Sequence, residues 1–563
     1  MRIKQLSSIL LILLLMKNNV FGDQNMDKAA KSFLDKHELA MRPLEIAANL
    51  AWWNANTTGS SSDFDKKEKA QNKIDEALAN ANLFQEIKSL KDNKAKITDP
   101  ILSRSVDVLF LIYLEKQVPL DLLKRSSALS NKVEQSFNSF RPVIQGKDST
   151  ENDVRGILKN SLDSNLRQEA WEAGKKVGII LENDLKELVA TRNQIARHLK
   201  FSNYHEMQLF LNEQKASDLI KIFDQLDDLT REPFQQIKDE IDSKLALNYK
   251  IKKDQLQAWH YHDPFFQEAP AIFGLDLDGP FKKADLLGLS QKFYKGIGLP
   301  IDRVIANSDL YEKKGKSPHA FCTDIDRSGD VRVLANVKPD DYWASTLLHE
   351  FGHAVYSSNN NNIPASLPYL LRSECHILTT EGVAMMFERL TKRSSFLKAM
   401  GLKVEDSAGF DAAASKNLKN RLLIFSRWCQ VMLRFEKGMY EDPKQDLNLL
   451  WWTLVKKYQG ISMPVNRNSA DYASKIHIVS APVYYHNYML GELFASQVHH
   501  AITKDLYPGK SPSEVIYEGN LKVGEFMRNK IFSSGKSLPW DELVKFATDK
   551  PLSAEAFSLD FKK

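Results

Sequence analysis

The stretch DYWASTLLHEFGHAVYS, residues 341–357, constrains this chain more than any other. Its apolar residues recur at helical spacing, which predicts a buried helix. Within it, His349 and His353 are four residues apart and therefore lie one above the other on the same helix face. Two imidazoles so placed can share one Zn²⁺, with the intervening Glu350 beside the metal as a general base. The stretch therefore predicts a zinc site.

A catalytic zinc takes three protein ligands and leaves one position for water. In the HExxHxxGxxH pattern the third His would stand at residue 359, which is Asn, so that type of site is excluded. The remaining common solution is a Glu from a following helix. The candidates, in chain order, are Glu374, Glu381 and Glu388, with His376 as an outsider.

Glu381 is the favoured third ligand. It follows Thr379-Thr380, which we interpret as a helix N-cap, and it opens the apolar helix GVAMMFERL, so its carboxylate can point inward. Glu388 stands later, beside Arg389, and is interpreted as a paired surface carboxylate. Glu374 remains the main alternative.

The first 22 residues, MRIKQLSSILLILLLMKNNVFG, have a basic start and a short apolar run that ends in small or permissive residues. This pattern predicts a secretory signal peptide, residues 1–22, and a secreted or periplasmic protein. The run is too short to span a bilayer, and no later stretch approaches 18 apolar residues. We therefore expect no membrane anchor in the mature chain.

Length and composition describe an ordinary globular protein. The chain has 563 residues, of which 43% are hydrophobic and 26% charged. Its formal charge of +5 includes three positive charges in the predicted signal peptide, so the mature chain carries +2. That charge is too small to indicate a nucleic-acid partner.

Residues 27–248 are almost continuously helical in pattern, and helical periodicity resumes after the zinc helix. Between them, HAFCTDI and DVRVLANV flank the turn DRSG and predict a β-hairpin immediately before the zinc helix. The aromatic and proline-rich residues 259–275 are either a packed loop or a cleft lining. We predict a mainly α protein, in which residues 23–563 form one large two-lobed helical zinc metallopeptidase domain. It would have a deep central cleft and a small β-hairpin beside the zinc helix.

The block WWTLVKKYQGISMPVNRNSADYASKIHIVSAPVYYHNYMLGELFASQVHHAI, residues 451–502, contains a Trp pair, a KYQG, a Lys-x-His and a cluster of tyrosines. Because these features follow one another in this order, the chain resembles the angiotensin-converting enzyme family of zinc dipeptidyl carboxypeptidases. The resemblance extends from SPHAFCTDI to His353 and, more faintly, to WNANTT near the N-terminus.

The resemblance implies a role for each matching residue. His349, His353 and Glu381 would bind Zn²⁺, and Glu350 would act as base and then as acid. A second group would act on the substrate: Tyr488 and His477 stabilise the oxyanion, Lys475 and Tyr485 hold the C-terminal carboxylate, and His319 with the Ala320 backbone grips the peptide from the hairpin. Because the stretch after His477 is one residue longer than in the family, Tyr484 is an alternative to Tyr485.

The chain also departs from the family pattern. Tyr261 takes the place of a Gln of the carboxylate clamp, so the pocket could be shorter at its far end. Val455 and Asn487 replace two arginines that the family uses for chloride, which we therefore do not expect to bind. Thr380 and Met385 replace a His and an Asp that flank the third ligand.

The predicted function is zinc-dependent hydrolysis of short peptides, most simply by release of dipeptides from the C-terminus. An oligoendopeptidase or a single-residue carboxypeptidase of the related helical fold is the alternative among enzymes. A catalytically inactive peptide-binding relative is the alternative from another class. The sequence does not indicate an oligomeric state.

Overall fold

A computed structural model describes residues 3–270, 277–317, 319–360 and 367–561. For residues 3–24, 131, 135, 138 and 360 it describes the backbone alone. The chain is about 70% helical, which confirms the mainly α prediction. The described helices are α1 Ile3–Thr58, α2 Ser61–Leu78, α3 Ala81–Asp92, α4 Pro100–Glu115, α5 Leu120–Ser139, α6 Glu151–Asn160, α7 Ser164–His198, α8 Tyr204–Leu211, α9 Ala216–Tyr249, α10 Leu286–Gly296, α11 Asp302–Asn307, α12 Asp341–Asn360, α13 Ile377–Glu388, α14 Ser394–Ala399, α15 Ser407–Glu441, α16 Leu447–Gln459, α17 Ile476–Ser480, α18 His486–Leu506, α19 Leu521–Met527, α20 Trp540–Thr548 and α21 Glu555–Leu559.

Local sequence signals set many of the helix ends. Asp163 caps α7 by accepting hydrogen bonds from two backbone N–H groups of the first turn. Thr150 and Asp153 form a reciprocal capping box at α6. Gly460 ends α16 in the left-handed conformation that glycine adopts without steric cost.

Two small antiparallel hairpins are present among the described residues. Strands β3 Phe321–Asp324 and β4 Val331–Leu334 pair with Phe321 opposite Leu334, which confirms the hairpin predicted before the zinc helix. Strands β1 Val143–Ile144 and β2 Lys147–Asp148 form a second hairpin where only a polar loop was expected. Its two turn residues, Gln145 and Gly146, both have positive φ, as a tight hairpin turn requires.

Among the described residues, two of the four buried hydrophobic clusters are large. The larger is built on the central helices α7, α9, α12, α13, α15 and α18. The smaller joins α1, α3 and α4 to residues 367–371. A cavity of about 280 Å³ lies between them, lined by α4, the end of α8 and residues 373–377, and it reaches Thr380 of α13.

The aromatic stretch after Ala258 is a packed loop over its described residues. Trp259, Tyr261 and Phe266 are buried in the larger cluster, whereas residues 271–275 of the predicted stretch lie outside the described residues. The polar composition of SSNNNNIP, residues 357–364, is typical of a loop. Its first four residues instead continue α12, while 361–364 are not described.

One buried histidine makes the fold sensitive to acid. His205 is 2% exposed, and neither ring nitrogen has a hydrogen-bond partner among the described residues. Burial lowers its pKa to about 4, so the folded chain keeps the ring neutral where the unfolded chain protonates it. Stability contributed by the neutral ring is complete above pH 6.5 and is lost as the pH falls toward 4.

The free energy of unfolding of the parent should fall between pH 7.5 and pH 5. We expect this fall to be smaller in His205→Leu, by about 2 kcal/mol. Urea unfolding of variant and parent at both pH values measures this difference. The exposed His198 gives a matched control, since His198→Leu should leave the acid sensitivity unchanged. Equal acid sensitivity in parent and His205→Leu would contradict the assignment.

Candidate metal centre

Three side chains from two adjacent helices converge on one point. On α12 the Nε2 atoms of His349 and His353 are 3.1 Å apart. The Glu381 carboxylate of α13 lies 3.6 Å from the first Nε2 and 3.9 Å from the second. These are the one group of at least three His, Cys, Asp or Glu side chains among the described residues that could hold a metal ion.

Close helix packing brings these residues together. A Cβ atom at Gly352, between the two histidines, would lie 2.8 Å from Cα of Ala384, so only glycine permits this approach of α12 to α13. On a neighbouring face of α13, a Cβ at Gly491 of α18 would lie 3.0 Å from Cβ of Glu381. Glycines on both neighbouring helices therefore set the depth at which Glu381 sits.

The start of α13 differs from the prediction. His376, not Thr379-Thr380, is the N-cap, so both threonines lie within the helix. The ring of His376 caps the helix with one nitrogen, and Nε2 lies 3.1 Å from the backbone oxygen of Asn212. His376 is therefore a structural residue, and the other candidate, Glu374, accepts a hydrogen bond from Ser357.

The donor set fits Zn²⁺. The Nδ1 atom of His353 is 2.7 Å from Oγ1 of Thr380, and Nδ1 of His349 is 2.8 Å from Oε2 of Glu388. Both Nε2 atoms are thereby left to face the metal position together with the carboxylate of Glu381. Ligands at zinc–donor distances of roughly 2.0–2.2 Å in a tetrahedron are about 3.3–3.6 Å apart, close to the separations observed.

Glu388 corrects a second prediction, because it is not a surface carboxylate paired with Arg389. Its side chain is 13% exposed and lies between His349 and Arg421, whose Nη2 donates to it at 2.9 Å. Arg389 turns instead to Glu492. Burial favours the neutral acid, but Arg421 and His349 outweigh burial and hold the pKa of Glu388 below its ordinary value.

Glu350 has the surroundings of a proton-transfer group. It is 7% exposed, and burial, opposed by His349, raises its pKa to about 7. Strand β3 lies close to Glu350. Burial is the main cause that raises the pKa of the Cys322 thiol on β3, and the negative charge of Glu350 raises it further. A carboxyl group that gains and loses a proton near neutral pH is suited to acid and base roles in turn.

A strained turn precedes the tyrosine cluster. Val483 has φ +57°, a left-handed conformation that β-branched residues rarely adopt. The buried carboxylate of Glu436 accepts the Val483 N–H at 2.8 Å and holds the turn in place. Asn487, which follows, accepts a hydrogen bond from Gln214 at 2.8 Å in the protein interior. A pair of neutral amide side chains, Gln214 and Asn487, therefore lies where the resemblance described above implies an arginine.

The turn directs the tyrosines into the site. The rings of Tyr484 and Tyr485 each lie 5.3 Å from that of Tyr488. Burial and, secondarily, the charge of Glu381 raise the pKa of Tyr488 to about 12. His477 lies 5.0 Å from Tyr485, and burial lowers its pKa to about 4, so its ring is neutral.

Lys475 lies beyond Tyr485. Its ammonium group is 5.5 Å from the centre of the Tyr485 ring and donates a 2.7 Å hydrogen bond to Oε1 of Gln267. Lys475 is 7% exposed, and burial lowers its pKa to about 8. Tyr485, rather than Tyr484, is thus the tyrosine beside the lysine.

Tyr261 is placed differently from the prediction. Its hydroxyl donates to Asp242 and accepts from Lys238, both at 2.9 Å, and among the described residues no contact joins it to Lys475. Gln267 contacts the lysine instead. Tyr261 therefore belongs to the core and does not fill the space beside Lys475.

His319 and Ala320 lie directly before β3. His319 is exposed and its backbone N–H donates to Ser317 at 3.3 Å, while Ala320 is half-buried. Among the described residues no strand pairs with the edge of β3 that faces away from β4. Asn49 of α1 donates to the backbone oxygen of Asp324 at 3.2 Å and so covers the Asp324 end of β3, which leaves the Ala320 end as the part that an extended chain could reach.

Sequence reasoning named Glu388 as a candidate ligand but gave it the wrong surroundings, although it stands seven residues after Glu381 and hence on the same helix face. It missed Arg421, Gln267 and Glu436, and only Gln267 had a signal, since it lies in the stretch 259–275 that was a possible cleft lining. Each of the three contacts a partner that is 33, 208 or 47 residues away in the chain.

A mainly helical fold with two histidines on one helix and a glutamate on the next is that of a helical zinc metallopeptidase. The family model of peptidase M2, angiotensin-converting enzyme, matches residues 24–258 and 278–562. The chain belongs to the angiotensin-converting enzyme family. Since this family is zinc-dependent and the His-His-Glu cluster is present, the zinc prediction is confirmed.

Individual relatives are distant. Angiotensin-converting enzyme of Theromyzon tessulatum is 22% identical over 322 residues, covering 54% of this chain and 51% of the relative. That of Oryctolagus cuniculus is 22% identical over 568 residues, covering 93% of this chain and 42% of the relative. The chain thus spans about half the length of the curated relatives it matches.

Among the described residues, none of the helices has the length and hydropathy needed to cross a bilayer. The predicted signal peptide lies where side chains are not described, and it stays a prediction.

We expect Glu388→Gln to weaken Zn²⁺ binding about 10- to 100-fold, because a neutral amide orients and polarises His349 less than a carboxylate does. Competition with a chromophoric chelator measures the affinity without reference to activity. Glu405→Gln, at an exposed surface position, is the control. An unchanged affinity for Glu388→Gln would show that its contact with His349 is incidental.

Proposed function

We propose that this chain is a zinc-dependent peptidase that releases dipeptides from the C-terminal end of short peptides. The observation that carries the proposal is the buried Lys475–Gln267 pair, reached from the metal cluster through Tyr488 and Tyr485. A buried ammonium group with one hydrogen bond to an amide oxygen can still donate to a carboxylate. The amide nitrogen of Gln267 is a further donor.

The spacing favours removal of two residues. The ring of Tyr488 lies 5.3 Å from that of Tyr485, which in turn is 5.5 Å from the Lys475 ammonium. Two extended residues span about 7 Å, which fits within these two contacts. Tyr261, the residue that could have shortened the pocket, lies outside it.

In this mechanism the peptide adds to the open edge of β3, where His319 and the Ala320 backbone contact it. Glu350 takes a proton from the attacking water and delivers it to the leaving amine. Tyr488 and His477 donate hydrogen bonds to the oxygen on which negative charge develops.

The zinc held by His349, His353 and Glu381 would supply a water of lowered pKa and polarise the carbonyl. Glu388 and Thr380 keep the two imidazoles oriented through their Nδ1 atoms.

We further propose that residues 1–22 direct export and that residues 23–563 form the catalytic domain of a secreted or periplasmic enzyme. The basic start and short apolar run support the first part. Short peptides are then its substrates.

The deciding experiment compares one peptide as the free acid and as its C-terminal amide, by mass spectrometry of the products. We expect chelator-sensitive release of dipeptides from the free acid alone, and none from Glu350→Gln, which keeps the side-chain size and removes the base. Release of single residues, or equal cleavage of both peptides, would replace the proposal by a carboxypeptidase or an endopeptidase. Zinc binding without any hydrolysis would indicate a peptide-binding relative.

The role of Lys475 gives a separate pH dependence. Since its pKa is lowered to about 8, the ammonium group is lost as the pH rises through 8, and kcat/KM for the free acid should fall there. Lys475→Met should lower kcat/KM for the free acid about 10- to 100-fold at pH 7 and abolish that decline.

Steady-state rates between pH 6 and 10 measure both effects. The exposed Lys456 provides the control, and Lys456→Met should keep the parent profile. A decline near pH 8 that survives in Lys475→Met would assign it to another group.

A further inference from the structure

A second concave site lies on the far side of α13 from the metal cluster. We name it the basic pocket: a cavity of about 550 Å³ between the end of α13, the middle of α15, the histidines of α18 and residues 511–513 and 559–561. Glu388 points from α13 to His349, whereas the next residue, Arg389, points to Glu492 and lines the pocket. The pocket is therefore separate from the proposed peptide site.

Positive charge dominates the walls of the basic pocket. Arg389, Arg393 and Lys419 line it, and Asp560 is the one carboxylate that does so among the described residues. Asp560 lies 3.7 Å from Arg389 and 3.7 Å from Nε2 of His500. Glu492, outside the lining, also pairs with Arg389, so Arg393 and Lys419 are the two lining cations whose charge remains to be balanced.

Two of these cations have no carboxylate within ion-pair distance among the described residues. Arg393 donates to the backbone oxygen of Ser513, and Lys419 donates to that of Phe561 at 3.3 Å. Neutral carbonyls satisfy hydrogen bonds but do not balance charge. Two partly buried cations that lack a direct ion pair attract an anion, and each can bind one charge of a doubly charged ligand.

Two further polar atoms belong to side chains that line the pocket. The Nε atom of Arg389 and Nε2 of His500 are buried, and neither has a hydrogen-bond partner among the described residues, although Nε2 of His500 lies 3.7 Å from Asp560. Since buried polar atoms are nearly always hydrogen-bonded, the Nε atom of Arg389 indicates a missing acceptor beside the pocket.

The rest of the wall is apolar. Met386, Leu390, Leu418, Leu422 and Phe561 line the cavity. Cavities of roughly 300–1,000 Å³ with apolar walls and a few convergent polar groups hold small organic molecules. A bare inorganic ion would leave this apolar surface uncovered.

We propose that the basic pocket binds a small organic dianion, a phosphate monoester or a dicarboxylate with an apolar body. Arg393 and Lys419 bind the anionic groups, and the leucines cover the apolar body. The two ligand classes share the doubly charged head that planar guanidinium groups recognise.

Isothermal titration of the zinc-loaded protein at fixed ionic strength tests the proposal, with phenyl phosphate and phthalate as probes of the two classes. We expect saturable one-to-one binding of at least one probe, weakened about tenfold or more by Arg393→Gln and by Lys419→Gln. Inorganic phosphate should bind more weakly than phenyl phosphate, and neutral benzyl alcohol should not bind.

Lys403→Gln, at a lysine that is 86% exposed, is the matched control and should bind as the parent does. Thermal melts test whether each variant keeps the fold. If Arg393→Gln fails to fold, the binding measured for Lys419→Gln decides the test. No saturable binding, binding that both variants retain, or equal binding of inorganic phosphate would overturn the proposal. Because the readout is binding, the result is independent of whether the chain hydrolyses peptides.

Discussion

The close contact of three helices is the constraint on which this molecule depends. Glycines at 352 and 491 let α12 and α18 approach α13 at distances that a side chain would block. Helix α13 is therefore clamped on two sides, with Glu381 facing the histidines and Tyr488 of α18 close to Glu381. Moving any one of these helices by the width of a methyl group would separate the ligand atoms, since packed helices do not deform gradually.

The charges around the metal cluster extend this geometry outward. A chain of contacts runs from His349 through Glu388 to Arg421, so a ligand on α12 is oriented by a carboxylate on α13 and a guanidinium on α15. Breaking such a buried chain at one member leaves an uncompensated charge, which costs more than the contact itself contributes. The carboxylate that contacts the imidazole of His349 stands seven residues after the third ligand on α13.

What the sequence could predict follows from the range of each interaction. The helix with His349 and His353, the β3–β4 hairpin and Glu381 were predictable, because periodicity and short spacing place them. The N-cap of α13 was assigned to Thr379-Thr380 instead of His376, because composition alone does not distinguish an imidazole cap from a cap by nearby threonines. The contact of Gln267 with Lys475 could not be predicted, since Gln267 lies in a stretch outside the family match and meets Lys475 only through the tertiary fold. The same limit applied to Glu388, whose burial depends on a guanidinium from another helix.

Val483 shows what the extra residue before the tyrosines does to the chain. A β-branched residue in the left-handed region costs roughly 1–2 kcal/mol, which a glycine would avoid. Glu436 holds this conformation from a neighbouring helix, so the added length is absorbed in a single fixed kink and α18 keeps its register against α13. A glycine would relax the kink but let the tyrosines sample several orientations. The position therefore exchanges some thermodynamic stability for a narrow conformational distribution, which keeps the first turn of α18 in one orientation.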